Sequence, residues 1–217
     1  LWALALEQDP GDDYAAAQLR TAHVAAEQTQ RAIEVDMRVA SDVERDRARL
    51  RAAFGLIAEG QLDAAIALLG SAREQRPGSM ALAEAHVEAL AAANRWGDRA
   101  RLLAELAANP PEQVDRELAQ LRSALAWEEA VGAAASAETP DADELQRVTA
   151  AALGAWDKVL EAQPGSPTAH AAALVLAGRL GDRDVLGEAL HRAQQAERSP
   201  WAAASLALRR ARLVGEG

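Results

Sequence analysis

The chain is expected to be all-α, a series of stacked antiparallel helix hairpins with about nine or ten helices, and three observations predict it. Arg95-Trp96-Gly97-Asp98-Arg99 and Arg179-Leu180-Gly181-Asp182-Arg183 are near-copies, each preceded by an alanine-rich segment and followed by leucines at matching offsets (Leu102 and Leu106; Leu186 and Leu190). A looser third copy runs through Glu59-Gly60-Gln61-Leu62-Asp63 to Ile66 and Leu69. A glycine turn between amphipathic segments that recurs along a chain marks stacked helical hairpins. Composition agrees: the chain is 50% hydrophobic but only 3% aromatic, alanine dominates, and few β-branched runs interrupt the helix formers. Prolines then punctuate the chain at Pro10, Pro77, Pro110/Pro111, Pro164 and Pro200. Pro10 to Pro77 is 67 residues, two units of about 34; Pro77 to Pro111 is 34, Pro111 to Pro164 is 53 and Pro164 to Pro200 is 36.

The elements follow in order. Leu1 to Pro10 reads as the second half of a hairpin whose first half is missing, which makes the chain an expected fragment of a longer protein, a single domain over 1–217. From Asp12 to Ser41 no glycine or proline marks a turn, so a hairpin over 12–41 turning near Gln28 and one long helix both satisfy the sequence. The hairpin 42–77 opens with Ser41 as cap ahead of Glu44. Its stripes are Leu50, Ala53, Phe54 and Ile57, then Ala65, Ile66, Leu69 and Ala72 across Gly60. The hairpin 79–109 starts at Ser79, with Ala83, Val87 and Leu90 facing Leu102, Leu103 and Leu106.

An enlarged hairpin, 110–163, is expected to start at Asn109-Pro110, to bury Val114, Leu118, Leu121 and Leu125, and to contain a loop over 132–140. Thr139-Pro140 caps its second helix, whose stripe is Leu145, Val148, Ala152, Trp156, Val159 and Leu160. Ser166-Pro167 opens the hairpin 166–198, with Ala169 to Leu180 apolar nearly all round, the pattern of a buried helix, and then Leu186, Ala189, Leu190 and Ala193. Ser199-Pro200 opens a terminal helix over 199–214. In each such pair the capping oxygen accepts from an orphan N–H, and proline at the first helical position loses no needed donor.

This organisation resembles the tetratricopeptide repeat family, best between Asp46 and Ser79. With Pro77 as the repeat-ending proline, Ala53 takes the small position of the first helix, and Ala65, Leu69 and Ala72 take the small, large and small positions of the second. The pattern is degenerate: the family's tryptophan position holds Arg49 and its tyrosine position Leu56. The resemblance implies a right-handed α-solenoid whose first helices line a concave groove. In that register the groove includes Arg47, Phe54, Glu84, Glu88 and Arg122. His86 and His170 also fall on first helices, where packing or surface roles explain them.

Composition narrows the chemistry. A net charge of −10 repels phosphate backbones, which argues against nucleic acid and anionic membrane partners, and the longest uncharged apolar stretch, 163–178, is too short to span a bilayer. Arg209, Arg210 and Arg212 suit a helix C-terminus. With no cysteine there is no thiolate site, and the chain fits any redox compartment, the cytoplasm slightly favoured. Four scattered histidines form no metal-binding pair, no glycine loop fits a phosphate, and Lys158 is the single lysine. No catalytic residue, cofactor or metal is therefore expected, and the lysine-rich clamp by which some tetratricopeptide domains hold a terminal carboxylate is missing. Acidic clusters at Asp12-Asp13 and Asp141 to Glu144 fall at helix starts.

Of the tryptophans Trp2, Trp96, Trp127, Trp156 and Trp201, Trp127 sits off the leucine stripe beside Glu128-Glu129 and is the candidate partner anchor. The expected function is a non-catalytic scaffold holding a peptide or protein in a groove of mixed charge. The alternative is a regulatory docking appendage of a larger signalling enzyme.

Overall fold

The computed structural model describes residues 1–9, 12–26, 28–36, 42–110 and 114–215. Among them are twelve helices and no strand, in two compact units, Leu1–Arg95 and Trp96–Gly217. The count exceeds the expected nine or ten because 12–36 breaks into two helices and the opening segment forms a short helix of its own. The expected positions Pro10, Ser41 and Pro111 lie outside the described residues.

The first unit holds α1 (Trp2–Gln8), α2 (Asp13–Ala25), α3 (Thr29–Asp36), α4 (Asp42–Ala58), α5 (Leu62–Gln75) and α6 (Met80–Ala92). Successive helices pack on one another, and α6 also reaches back to α4. At the end of α2 the Gln28 N–H donates to His23 O at 2.8 Å, a helix-terminating bond that accounts for the turn near Gln28. Leu6, Ala15, Ala16 and Val35 form the small core under α1 to α3, and Trp2 meets Tyr14 edge to face at 5.5 Å. On α5 the expected stripe is the buried one: Ala65, Ile66, Leu69 and Ala72. On α4 the buried set is Ala48, Ala52, Ala53 and Leu56, while Phe54, expected in the core stripe as well as in the groove, is 54% exposed.

The position where the family resemblance lacks its tryptophan has a different solution. Arg49 is buried beside buried Asp46, its guanidinium donates to Gln75 Oε1 on α5, and Arg76 approaches the same carboxylate at 3.7 Å. A polar cross-link between α4 and α5 takes the place of an aromatic plug.

The second unit holds α7 (Trp96–Ala108), α8 (Arg116–Ala135), α9 (Ala142–Ala162), α10 (Pro167–Leu180), α11 (Arg183–Ala196) and α12 (Pro200–Gly215), each packed on the next. Trp156 is its most completely buried large side chain, and its indole N–H donates to Glu128 Oε1 at 3.1 Å. On α10, the expected all-round burial gives way to a half-covered helix with Val175 exposed.

Two local expectations shift. The helix after Asn109-Pro110 starts at Arg116 with Asp115 as its cap, accepting from Glu117 N and Leu118 N. Pro110 itself is non-helical, as a residue before proline is driven to be. Likewise Asp141, not Thr139, caps α9, and α8 continues to Ala135, so the connection between them is shorter than 132–140. Asp12 caps α2, as Asp141 caps α9, and Ser166 caps α10, so each acidic cluster at a helix start supplies one cap.

The second shift concerns the repeated turn. Gly60 and Gly181 have φ of +75° and +69°, each two residues before the next helix begins. In the copy between them, the left-handed residue two before Trp96 is Asn94 (φ 55°), and Gly97 lies inside α7. Asparagine tolerates that region best after glycine. The three turns are therefore equivalent through Gly60, Asn94 and Gly181 rather than through Gly97.

Candidate partner-binding faces

The functional candidates divide between the units. In the first, Arg47, Arg51, Phe54 and Ala58 follow one another along the exposed side of α4 at helical spacing, and Glu88 is exposed on α6 with Glu84 half-buried. α4 and α6 pack directly, so unit one carries a cationic and aromatic stripe on one helix and an acidic stripe on its neighbour. His86, between Arg73 (3.4 Å) and the space left by Gly70, is a packing histidine. In unit two, His170 donates from Nε2 to Pro164 O at 2.8 Å and ties α10 to the turn before it.

In the second unit α8 decides the geometry, and it reverses the sequence expectation. Leu118, Leu121 and Leu125, expected in the core, are 55%, 36% and 45% exposed. Trp127, expected outside, is only 6% exposed. The buried set is Ala119, Ser123, Ala124, Ala126, Trp127, Ala130 and Val131. Both sets repeat at helical spacing, so periodicity alone does not choose between them. Packing does: α8 lies against both α7 and α9, and two long neighbours close up best over small side chains. The signal available was the alanine and serine stripe itself. The exposed tryptophans among the described residues are Trp2, at 40%, and Trp201, 88% exposed at the start of α12.

Leu118 and Leu121 form one edge of an open cleft of about 350 Å³, floored by Trp156 and Val159 of α9 and bounded by Ser166 and Thr168. Asp115 and Glu117 sit at its mouth, where Gln163 Nε2 donates to Glu117 Oε2 at 2.6 Å. Arg122, half-buried, lies next to the leucine stripe on the α8 surface. Apolar and acidic groups so arranged offer contact area rimmed by charge.

Among the described residues no three His, Asp or Glu side chains gather as a metal site, and no helix is long and apolar enough to cross a membrane. Arg147, ion-paired with Glu144 at the start of α9, has its pKa raised by that hydrogen bond and charge.

No protein-family profile matches the chain, and no curated protein matches it. Solved structures do. A mutant of MamA is 16% identical over 86% of this chain and 99% of its own, with a TM-score of 0.40. TTC0263, a thermophilic TPR protein of Thermus thermophilus, is 21% identical over 75% of this chain and 81% of its own, with a TM-score of 0.36. A structure of Naa15/Naa10 bound to HypK-THB is 14% identical over 98% of this chain and 39% of that one, with a TM-score of 0.38.

Proposed function

We propose that this chain is a non-catalytic protein-interaction module of the tetratricopeptide-like kind, whose second unit holds an apolar segment of a protein partner on the leucine face of α8. The observation that carries the reading is the exposure of Leu118, Leu121 and Leu125 on one side of a single helix. Isolated exposed leucines are ordinary, but three in line beside an open cleft of about 350 Å³ are a contact surface kept out of the fold's own core. Partner side chains at i, i+3 and i+7 match that spacing, the helix-in-groove mode of recognition. Arg122 beside the stripe and Asp115 and Glu117 at the cleft mouth orient the partner by charge.

Unit one offers the complementary chemistry of a mixed-charge surface, with Arg47 and Phe54 on α4 and Glu84 and Glu88 on α6 as the residues to engage a peptide. Preorganised helices lower the ordering cost of such binding.

The experiment is capture from native lysate, read by mass spectrometry, with wild-type chain, a Leu121→Glu/Leu125→Glu variant, and a Glu84→Arg/Glu88→Arg/Arg122→Glu variant. Loss of the same captured protein in the leucine variant supports the face. Undiminished capture by both variants removes these faces from the function.

A further inference from the structure

α8 has a second face. At about 100° per residue, Arg116, Gln120, Ser123 and Trp127 fall on one arc of the helix, centred about 160° from the leucine stripe. That arc floors a separate cleft of about 500 Å³ whose walls are α7 and α9. The two walls are alike. Ala104, Ala107 and Ala108 on α7 and Ala151, Gly154 and Ala155 on α9 both run i, i+3, i+4, so each presents a small-residue strip to the gap.

The register of the cleft is set by cross-helix bonds. Gln163 reaches Glu117 and Trp156 reaches Glu128, which makes α8 and α9 antiparallel, and Arg99 of α7 pairs with Glu129. Arg116, Gln120, Lys158 and Glu161 therefore lie towards one end, and Trp127, Ala104 and Ala151 towards the other. The cleft is polarised, charged at its mouth and apolar at its far end.

Two observations beyond the small side chains point to a ligand. Ser123 is 4% exposed and its hydroxyl makes no hydrogen bond among the described residues, while Gln120 Oε1 is buried in the same cleft without a partner there. Buried polar atoms are normally satisfied, and Gln120 Oε1 is left in want of a donor. Lys158, the single lysine of a chain with net charge −10, lines the cleft with Arg116, and neither has an ion-pair partner among the described residues. They face one carboxylate, Glu161.

We propose that this cleft seats an acidic amphipathic helix of a partner protein. Two parallel small-residue walls admit a helix to close approach, and Ala151 to Glu161 is eleven residues of α9, about 15 Å or nearly three turns from end to end. The incoming helix sets an apolar side chain against Trp127, a carboxylate two to three turns away on Arg116 and Lys158, and a polar side chain that donates to Gln120 Oε1. The site is independent of the leucine face and does not rest on it.

The test uses the whole chain and a defined probe. Isolated helices shorter than about 12–15 residues are marginal in water, so the probe is a fluorescein-labelled, alanine-based peptide of about 18 residues. It carries leucine and glutamate along one face, and its control carries lysine at the glutamate positions. A Cβ at Gly154 would meet nothing within 4 Å, so Gly154→Leu starts its side chain in open space and fills part of the cleft. Circular dichroism confirms that the variant stays helical. By fluorescence anisotropy, the acidic peptide should bind saturably, weaken at least tenfold with Gly154→Leu and with Arg116→Glu/Lys158→Glu, and be indifferent to Leu121→Glu/Leu125→Glu. The proposal is overturned by no saturable binding to wild type, by undiminished binding to the plugged variant, by equal binding of the lysine peptide, or by loss confined to the leucine variant.

Discussion

Replacing Trp127 and Leu125 by alanine, one at a time, tests which face of α8 the fold uses. Trp127 is 6% exposed, and truncation of a buried tryptophan typically costs about 3–5 kcal/mol, part of it for the void left behind. Here the void would open into the cleft of about 500 Å³ and fill with water, so the cost belongs at the lower end, about 3 kcal/mol. Leu125 is 45% exposed. Complete burial of leucine contributes about 1.5–3 kcal/mol, so removing slightly more than half of that costs about 1 kcal/mol, and the better helix propensity of alanine offsets a little of it. With a urea m-value near 2 kcal/mol/M, the midpoint should fall by about 1.5 M for Trp127→Ala and by less than about 0.5 M for Leu125→Ala. Far-UV circular dichroism against urea, with m compared between variants, measures both. Equal shifts, or a larger shift for Leu125→Ala, would refute the assignment of the two faces and the function built on it.

The repeated turns give a paired prediction. Gly97→Ala, inside α7, should stabilise by about 0.5–1 kcal/mol, whereas Gly181→Ala should destabilise by about 1–2 kcal/mol because its φ is +69°; thermal melts that reverse the order would reinstate Gly97 as the turn. For the polar cross-link, Arg49→Ala should cost about 1–3 kcal/mol, because buried Asp46 keeps only Arg76 and Gln75 Oε1 loses its donor, and Arg49→Ala/Asp46→Ala should cost less than the two single changes summed. Strict additivity in urea titrations would show that the pair is not coupled. Glu128→Ala should cost about 1–3 kcal/mol by leaving the Trp156 indole N–H unsatisfied, and Glu128→Gln, which keeps an acceptor, should recover most of that. Equal losses for the two substitutions would mean the hydrogen bond contributes nothing.

The leucine stripe of α8 shows why a sequence reading locates helices better than it locates their faces. Alanine-rich segments, turn residues and prolines specify helix, break, helix through local backbone preferences, and the α5 stripe was readable because Ile66 and Leu69, large and at helical spacing, are also buried. On α8 two periodic sets compete, and the larger side chains are the more conspicuous. The caps at Asp115 and Asp141 were within reach, since aspartate ahead of a first turn is a strong signal, but the neighbouring Asn-Pro and Thr-Pro pairs drew the boundary away. Asn94 was hidden because a glycine stood three residues further on.

Sequence by itself determined that this chain is helical throughout, where most of its helices begin and end, and that its net charge is acidic, because each of those follows from residues acting on their own neighbours. Tertiary structure alone decided that Arg49 would be buried with Asp46, that Trp127 would face α7 and α9, and that three leucines would be left outside. Those outcomes depend on how closely two helices approach a third. That distance is set by the smallest side chains between them, and no single helix encodes it.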